Sequence, residues 1–280
     1  MDAESRELAP AGGLLPPLRA RLRSRRARRG ATSFLVLLGL YGLLTSPWLQ
    51  VLRLQRFLPS YAALLDSWVF LLGTGALLRG MAGSVGRMLE GYLLGALVGI
   101  ALGAAMGWSR RTNWLLDPLV QLVRFTPALA WLPLYMIWFG TGEASMVALI
   151  ATGVSVVTLT AAYHAIRDVP DVYLKAARML GTGRWLLVRR VILPAALPQI
   201  FDGLRVAIGV SWAIIVAAEL IGAPSGLGYL LVTAREYLNI PLVLVVMLHI
   251  GILALAMDRI GMAAHRRATR WMKRRADQER

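Results

Sequence analysis

Residues 87–107 read Arg87-Met88-Leu89-Glu90-Gly91-Tyr92-Leu93-Leu94-Gly95-Ala96-Leu97-Val98-Gly99-Ile100-Ala101-Leu102-Gly103-Ala104-Ala105-Met106-Gly107, and after the first residue Glu90 is the only charge. A helix of about 20 apolar residues crosses a hydrocarbon core about 30 Å thick, so this stretch predicts a membrane span. Glycine recurs at 91, 95, 99, 103 and 107. Each glycine inside a helix costs about 1 kcal/mol relative to alanine. Five at one spacing therefore call for the close backbone approach that drives helix association in lipid. Four residues advance about 400° around a helix, so the stripe drifts and is expected to meet more than one neighbour. Packing within one chain is the plain account of it, a subunit interface the other.

Working outward, the same apolar length recurs at roughly 33–52, 118–139, 143–166, 198–222 and 241–262, giving an all-α polytopic membrane protein with about six transmembrane helices. Composition agrees: 57% of the 280 residues are hydrophobic and 16% charged, far from a disordered chain or an ordinary water-soluble enzyme. The net charge is +16, from 31 Lys and Arg against 15 Asp and Glu. If six spans alternate, residues 1–30, 108–114, 167–190 and 259–280 share one side and hold 24 of those 31 cations. The opposite side holds Arg53, Arg56, Arg79 and Arg235. Positive loops stay cytoplasmic, so both termini are expected inside. No small-x-small cleavage site follows the first apolar stretch, where Thr45-Ser46-Pro47-Trp48 stands, so an uncleaved first helix is expected. The organisation that follows is a basic cytoplasmic tail (1–32), a first transmembrane helix (33–56), an external connector with one or two short helices (57–80), a helical membrane core (81–264) holding a cytoplasmic loop (167–197), and a basic cytoplasmic tail (265–280). A seventh span around Leu64–Leu78 would put the 167–190 arginines outside, against the charge count.

The third span carries Pro127 and Pro133, each expected to remove a helical hydrogen bond and bend it. Charges within spans are costly and default to functional candidates. They are Glu90, Arg124, Asp202, Arg205 and Glu219. Asp202 and Arg205 stand three apart and are expected to pair on one helix. Arg124 and Glu219 show no local partner and become the candidates for a translocation pathway.

Several chemistries lack their residues. With no cysteine there is no disulfide, thiolate metal site or cysteine nucleophile. The three histidines are isolated and expected at helix ends or in loops; no HExxH, GxSxG or clustered aspartate motif occurs, so neither a catalytic residue nor a metal site is assigned. The basic tails lack a nucleic-acid reader motif, and contact with anionic lipid accounts for them. No phosphate-binding GxxxxGK[ST] loop is present; Gly222-Ala223-Pro224-Ser225-Gly226-Leu227-Gly228 has no lysine and falls outside. An active transporter built on this chain takes its energy from elsewhere.

The 167–197 loop is the most informative. Pro170, Gly181 and Gly183 punctuate a short helix with small residues beside apolar ones, and a second short helix (Trp185 to Ile192) ends at Leu193-Pro194. Such a helix is weakly stable alone and makes sense as a piece that docks into a partner. Lys175-Ala176-Ala177-Arg178-Met179-Leu180-Gly181, nine residues, then Val191-Ile192-Leu193-Pro194 resembles the EAA loop of ABC-importer permeases (binding-protein-dependent transport inner-membrane components, ABC transmembrane type-1). Their pattern is Glu-Ala-Ala, three residues, Gly, nine residues, Ile-x-Leu-Pro. Lys175 stands where the pattern has Glu and Val191 where it has Ile. Pro127–Leu134, Ile137–Ser145, Ala217–Gly222 and Ser225–Tyr229 are similar to the taurine, alkanesulfonate and nitrate branch, and the likeness extends over about 57–272.

That resemblance implies a homodimeric type I permease of the bacterial inner membrane. Its partners would be a second copy, two ABC ATPase subunits that hold the ATP and magnesium, a periplasmic or lipoprotein solute-binding protein, and membrane lipid. Leu174, Lys175, Ala176, Ala177, Arg178, Leu180, Gly181, Thr182 and Gly183 would couple the chain to the ATPase, with Ala176, Ala177 and Gly181 at the docking surface. The expected cargo is a small anion such as taurine or another sulfonate; nitrate, bicarbonate or a thiamine-precursor pyrimidine are the alternatives. A membrane-embedded lipid-phosphate enzyme and an assembly or signalling subunit are rival classes with no motif to support them.

Overall fold

The computed structural model describes Thr32, Val36, residues 39–43 and residues 58–268. Most of the expected first span, the basic tail 1–32 apart from Thr32, and the end of the tail 265–280 lie outside the described residues. The chain divides into two compact units at Ala63/Leu64. In the first, the Tyr41 hydroxyl donates to the Pro59 carbonyl at 2.7 Å, and the Tyr41 and Tyr61 rings lie 5.3 Å apart.

The elements are helical throughout the described residues: α1 Tyr61–Gly73, α2 Ala76–Trp108, α3 Arg110–Phe125, a 3₁₀ turn Ala128–Trp131, α4 Leu132–Phe139, α5 Glu143–Arg167, α6 Asp171–Met179, α7 Arg184–Leu187, a π turn Val188–Ile192, α8 Leu193–Gly222, α9 Leu227–Glu236 and α10 Ile240–Ala268. Among the described residues four helices are long and apolar enough to cross a membrane, and five if the bent α3–α4 pair is one span. α1, at 13 residues, reaches about 20 Å. It ends where Thr74 and Gly75 turn the chain, Gly75 at φ +67°. The second span therefore begins at Ala76, ten residues before Gly86, because Gly80, Gly83 and Gly86 stay helical. The connector keeps one short helix, α1.

The glycine stripe of α2 meets one neighbour, α5, rather than several. A Cβ on Gly91 would lie 2.9 Å from the Val147 carbonyl oxygen, and one on Gly95 2.8 Å from Val154 Cβ. At Gly99 it would press on Ser155 and Thr158, at Gly103 on Leu159 and Ala162, and at Gly107 it would lie 2.9 Å from the Tyr163 carbonyl. The carbonyls met, at 147, 151, 155, 159 and 163, also recur every four residues. Both stripes drift in the same sense, so the helices wrap around each other and stay in register.

Both series rise together, so α2 and α5 run parallel. Two parallel spans require one crossing between them, and α3–α4 is the segment available. It is not the single bent helix expected: the two halves meet at 96°. Thr126, forced out of the α region by the following proline, is extended at φ −81° and ψ 123°. Pro127 supplies the break, whereas Pro133 sits in the first turn of α4, where a missing N–H costs nothing.

α8 runs antiparallel to α5 and α10 antiparallel to α8, as the pairs Ala161–Gly203, Gly153–Ile214, Ile208–Gly261 and Trp212–Ile250 show. Leu149, Ile150, Val154, Ala207, Ile215, Leu227 and Val246 fill the core between these helices. Pro194 does not end a helix as expected. The Leu193 amide bonds the Val188 carbonyl five residues back, and this widened turn passes α7 directly into α8.

Candidate functional site

Three places concentrate the polar chemistry. The first lies at the end of the bundle formed by the start of α2, the start of α5 and the end of α8. Arg87 Nη2 donates to Glu219 Oε1 at 2.6 Å, and both side chains are buried. Ser84 Oγ donates to the same carboxylate at 2.7 Å and accepts from the Leu227 amide at 2.9 Å. The Gly228 amide donates to Glu219 Oε2 at 2.7 Å. Arg87 also donates to the Ser225 carbonyl at 2.9 Å and Ser225 Oγ at 3.2 Å, and lies 3.3 Å from the exposed Glu143. The glycine-rich piece thus closes over the ion pair. Gly226, at φ +120°, has the pair where a Cβ would be: 2.5 Å from Arg87 Nη2.

Glu219 is therefore not an open pathway residue. Its carboxylate is saturated by neighbours, and its partner Arg87 lies 132 positions away, beyond what local spacing reveals. The sequence did carry one signal: residues 87, 143 and 219–228 fall on the same side of the alternating spans, and the structure brings them together.

The second place is an open cavity of about 460 Å³ lined by Arg124 from α3, Thr160 and His164 from α5, and Gln199, Asp202 and Gly203 from α8. A Cβ on Gly203 would run into Ala161, so α5 and α8 touch there. Arg124 lies over the ring of its neighbour Phe125, 6.0 Å from the centroid, and no carboxylate among the described residues pairs with it. Arg124 and Glu219 are not brought together. The expected Asp202–Arg205 pair does not form either. Arg205 Nε reaches Asp258 Oδ1 of α10 at 3.2 Å, and Asp202 Oδ1 lies 3.7 Å from His265 Nδ1. Antiparallel packing of α8 on α10 offers each side chain a partner across the interface. Glu90 is exposed on α2 without a partner among the described residues.

Of the histidines, His164 is in the last turn of α5 beside Asp168, at 3.7 Å. His249, expected at a helix end, is inside α10, where it accepts from Trp68 Nε1 at 3.3 Å. Among the described residues no group of three or more His, Asp or Glu is arranged to hold a metal ion.

The third place is the hairpin between α5 and α8. Gly181, at φ +71°, closes α6: its amide bonds the Arg178 carbonyl at 3.0 Å and the Thr182 amide bonds the Ala177 carbonyl at 3.1 Å. This is the double hydrogen bond of a glycine C-terminal cap. Ala177 is buried against Val169, Leu187 and Ile192, with Leu174 packed beside it, so it supports the hairpin and offers no surface to a partner. The outward apolar face is instead Val172, Tyr173, Met179, Leu180 and Trp185, with Met179 88% and Leu180 85% exposed. Lys175, Ala176, Arg178, Gly181 and Gly183 are also exposed, and Thr182 is half-buried.

The sequence profile described as "Binding-protein-dependent transport system inner membrane component" matches residues 91–274. A probable ABC transporter permease protein of Brucella abortus (strain 2308) is 38% identical over 86% of this chain and 94% of its own. The taurine transport system permease protein TauC of Escherichia coli (strain K12) is 36% identical over 84% of this chain and 88% of its own. A chain of the MetNI methionine ABC transporter, solved in an inward-facing conformation, superposes with a TM-score of 0.61 at 19% identity, covering 69% of this chain and 96% of that one.

Proposed function

Because the chain belongs to the family of binding-protein-dependent transport system inner membrane components, we propose that it carries a small sulfonate of the taurine kind inward across the membrane, as one of two identical permease subunits. It is the multi-pass translocation subunit of an ABC transporter and not an enzyme; the family works with an ATPase and a solute-binding protein. Two ATPase subunits hold ATP and magnesium outside this chain and grip it through α6. The 24 cations of the four shared segments support a cytoplasmic hairpin and cytoplasmic termini, with anionic lipid against the tails.

The observation that carries the coupling is the exposed apolar face of α6. Met179 and Leu180 stand almost fully free on a hairpin whose own small core, around Ala177, is already complete. An apolar face on a rigid knob, at the cytoplasmic end of α5 and α8, transmits force to both spans at once. Nucleotide-driven closure of the ATPases favours one of two permease arrangements by its differential contacts with that knob. The π turn passes the motion into α8 without a loop to absorb it. Likeness to TauC supports the sulfonate.

The test is reconstitution. Permease, ATPase and the solute-binding protein in liposomes should accumulate labelled taurine only with ATP. Accumulation without ATP, or copurification of the permease with no ATPase at all, contradicts the coupling; ATP-driven uptake of some other solute and not of taurine contradicts the cargo.

A further inference from the structure

Resting on the sulfonate reading above, we infer that the cavity between α3, α5 and α8 is a cargo site built for a zwitterion, with Arg124 taking the sulfonate and Asp202 the ammonium. Its volume of about 460 Å³ lies within the range of small-molecule sites, about 300–1,000 Å³. Charged side chains within a membrane bundle are held there by a partner or by a water-filled cavity. Arg87, Glu219 and Arg205 have protein partners. Arg124 has none among the described residues, and it lines this cavity.

Asp202 lines the same cavity from α8, its side chain 69% exposed. His265 Nδ1 lies 3.7 Å from Oδ1, and Oδ2 has no partner among the described residues. Thr160 Oγ1 is committed to the Val156 carbonyl at 2.8 Å and offers only lone pairs. The Gln199 amide supplies a neutral donor and acceptor. His164 leans toward Asp168 at 3.7 Å. The cavity thus presents one unpaired cation and one half-open carboxylate from different helices. A simple anion would gain Arg124 and be repelled by Asp202; an aminosulfonate offers each of them a charge of opposite sign. Movement of α8 on α5, which touch at Gly203 and Ala161, would change the spacing of the two charges and release the cargo.

The experiment uses the full permease–ATPase complex with its binding protein. Taurine and isethionate, in which a hydroxyl replaces the ammonium, are the two probes. Uptake is measured in liposomes, and equilibrium binding on the detergent-purified complex without the binding protein. Asp202→Asn should weaken taurine at least about tenfold and strengthen isethionate, whose anion the carboxylate repels, and Arg124→Gln should weaken both at least about tenfold, the loss expected for a hydrogen bond to a charged group. Arg124→Lys, which keeps the charge, should recover part of the loss and guards against misfolding, as does the melting temperature of each variant. Taurine uptake and binding unchanged in both charge-removing variants overturn the site and leave the cargo standing. Failure of the wild type to take up either sulfonate overturns the cargo and the site with it.

Discussion

Arg87 Nη2 and Glu219 Oε1 lie 2.6 Å apart, tying α2 to the end of α8 beneath Ser225 and the first turn of α9. Two buried opposite charges hold position because every oxygen of the carboxylate is bonded. Removing one partner leaves the other uncompensated, at a cost of about 3–5 kcal/mol. Arg87→Ala and Glu219→Ala are each expected to lower the melting temperature of the purified protein sharply, and Arg87→Met with Glu219→Met to recover part of the loss. Additive losses in the double variant would mean the pair is not coupled.

Gly226 is expected to tolerate no side chain. Its φ of +120° and the position of Arg87 Nη2 both oppose a Cβ, so Gly226→Ala should destabilise the protein comparably to a core overpacking, about 1–3 kcal/mol. The same melting measurement checks it.

Gly99→Leu should separate α2 from α5 and reduce the amount of folded protein in the membrane, because Thr158 and Ser155 occupy the space. Gly86→Leu is the control, since nothing lies within 4 Å of its Cβ position. Equal yields of the two variants would contradict the packing of the stripe.

Four of the spans and the stripe's purpose were readable in the sequence because they depend on composition and period. The number of neighbours the stripe meets was not, because the drift of one helix says nothing of a partner that drifts with it. Glu219 looked unpartnered for a similar reason. Local spacing finds i and i+3 or i+4 neighbours, while its partners come from α2 and the first turn of α9. Asp202 and Arg205 stood at the right spacing and still chose α10. In the hairpin, the pattern marked the right segment, but which alanine faces outward depended on the return of α7 and the π turn beneath it.

Leu238 sits at φ +52° after α9, the one non-glycine with positive φ among the described residues. Its side chain is 83% exposed, so no packing is lost on truncation. Leu238→Gly should raise stability by up to about 1 kcal/mol, the relief of a left-handed conformation. A lower melting temperature would show that the side chain has a partner.

The hairpin's orientation and grip are tested together by one substitution, since the chain has no cysteine. Leu180→Cys should react with a membrane-impermeant maleimide in inside-out vesicles only, and a short bifunctional linker should join it to the ATPase. Reaction from the outside of intact cells, or no cross-link in a complex that hydrolyses ATP, would contradict the account.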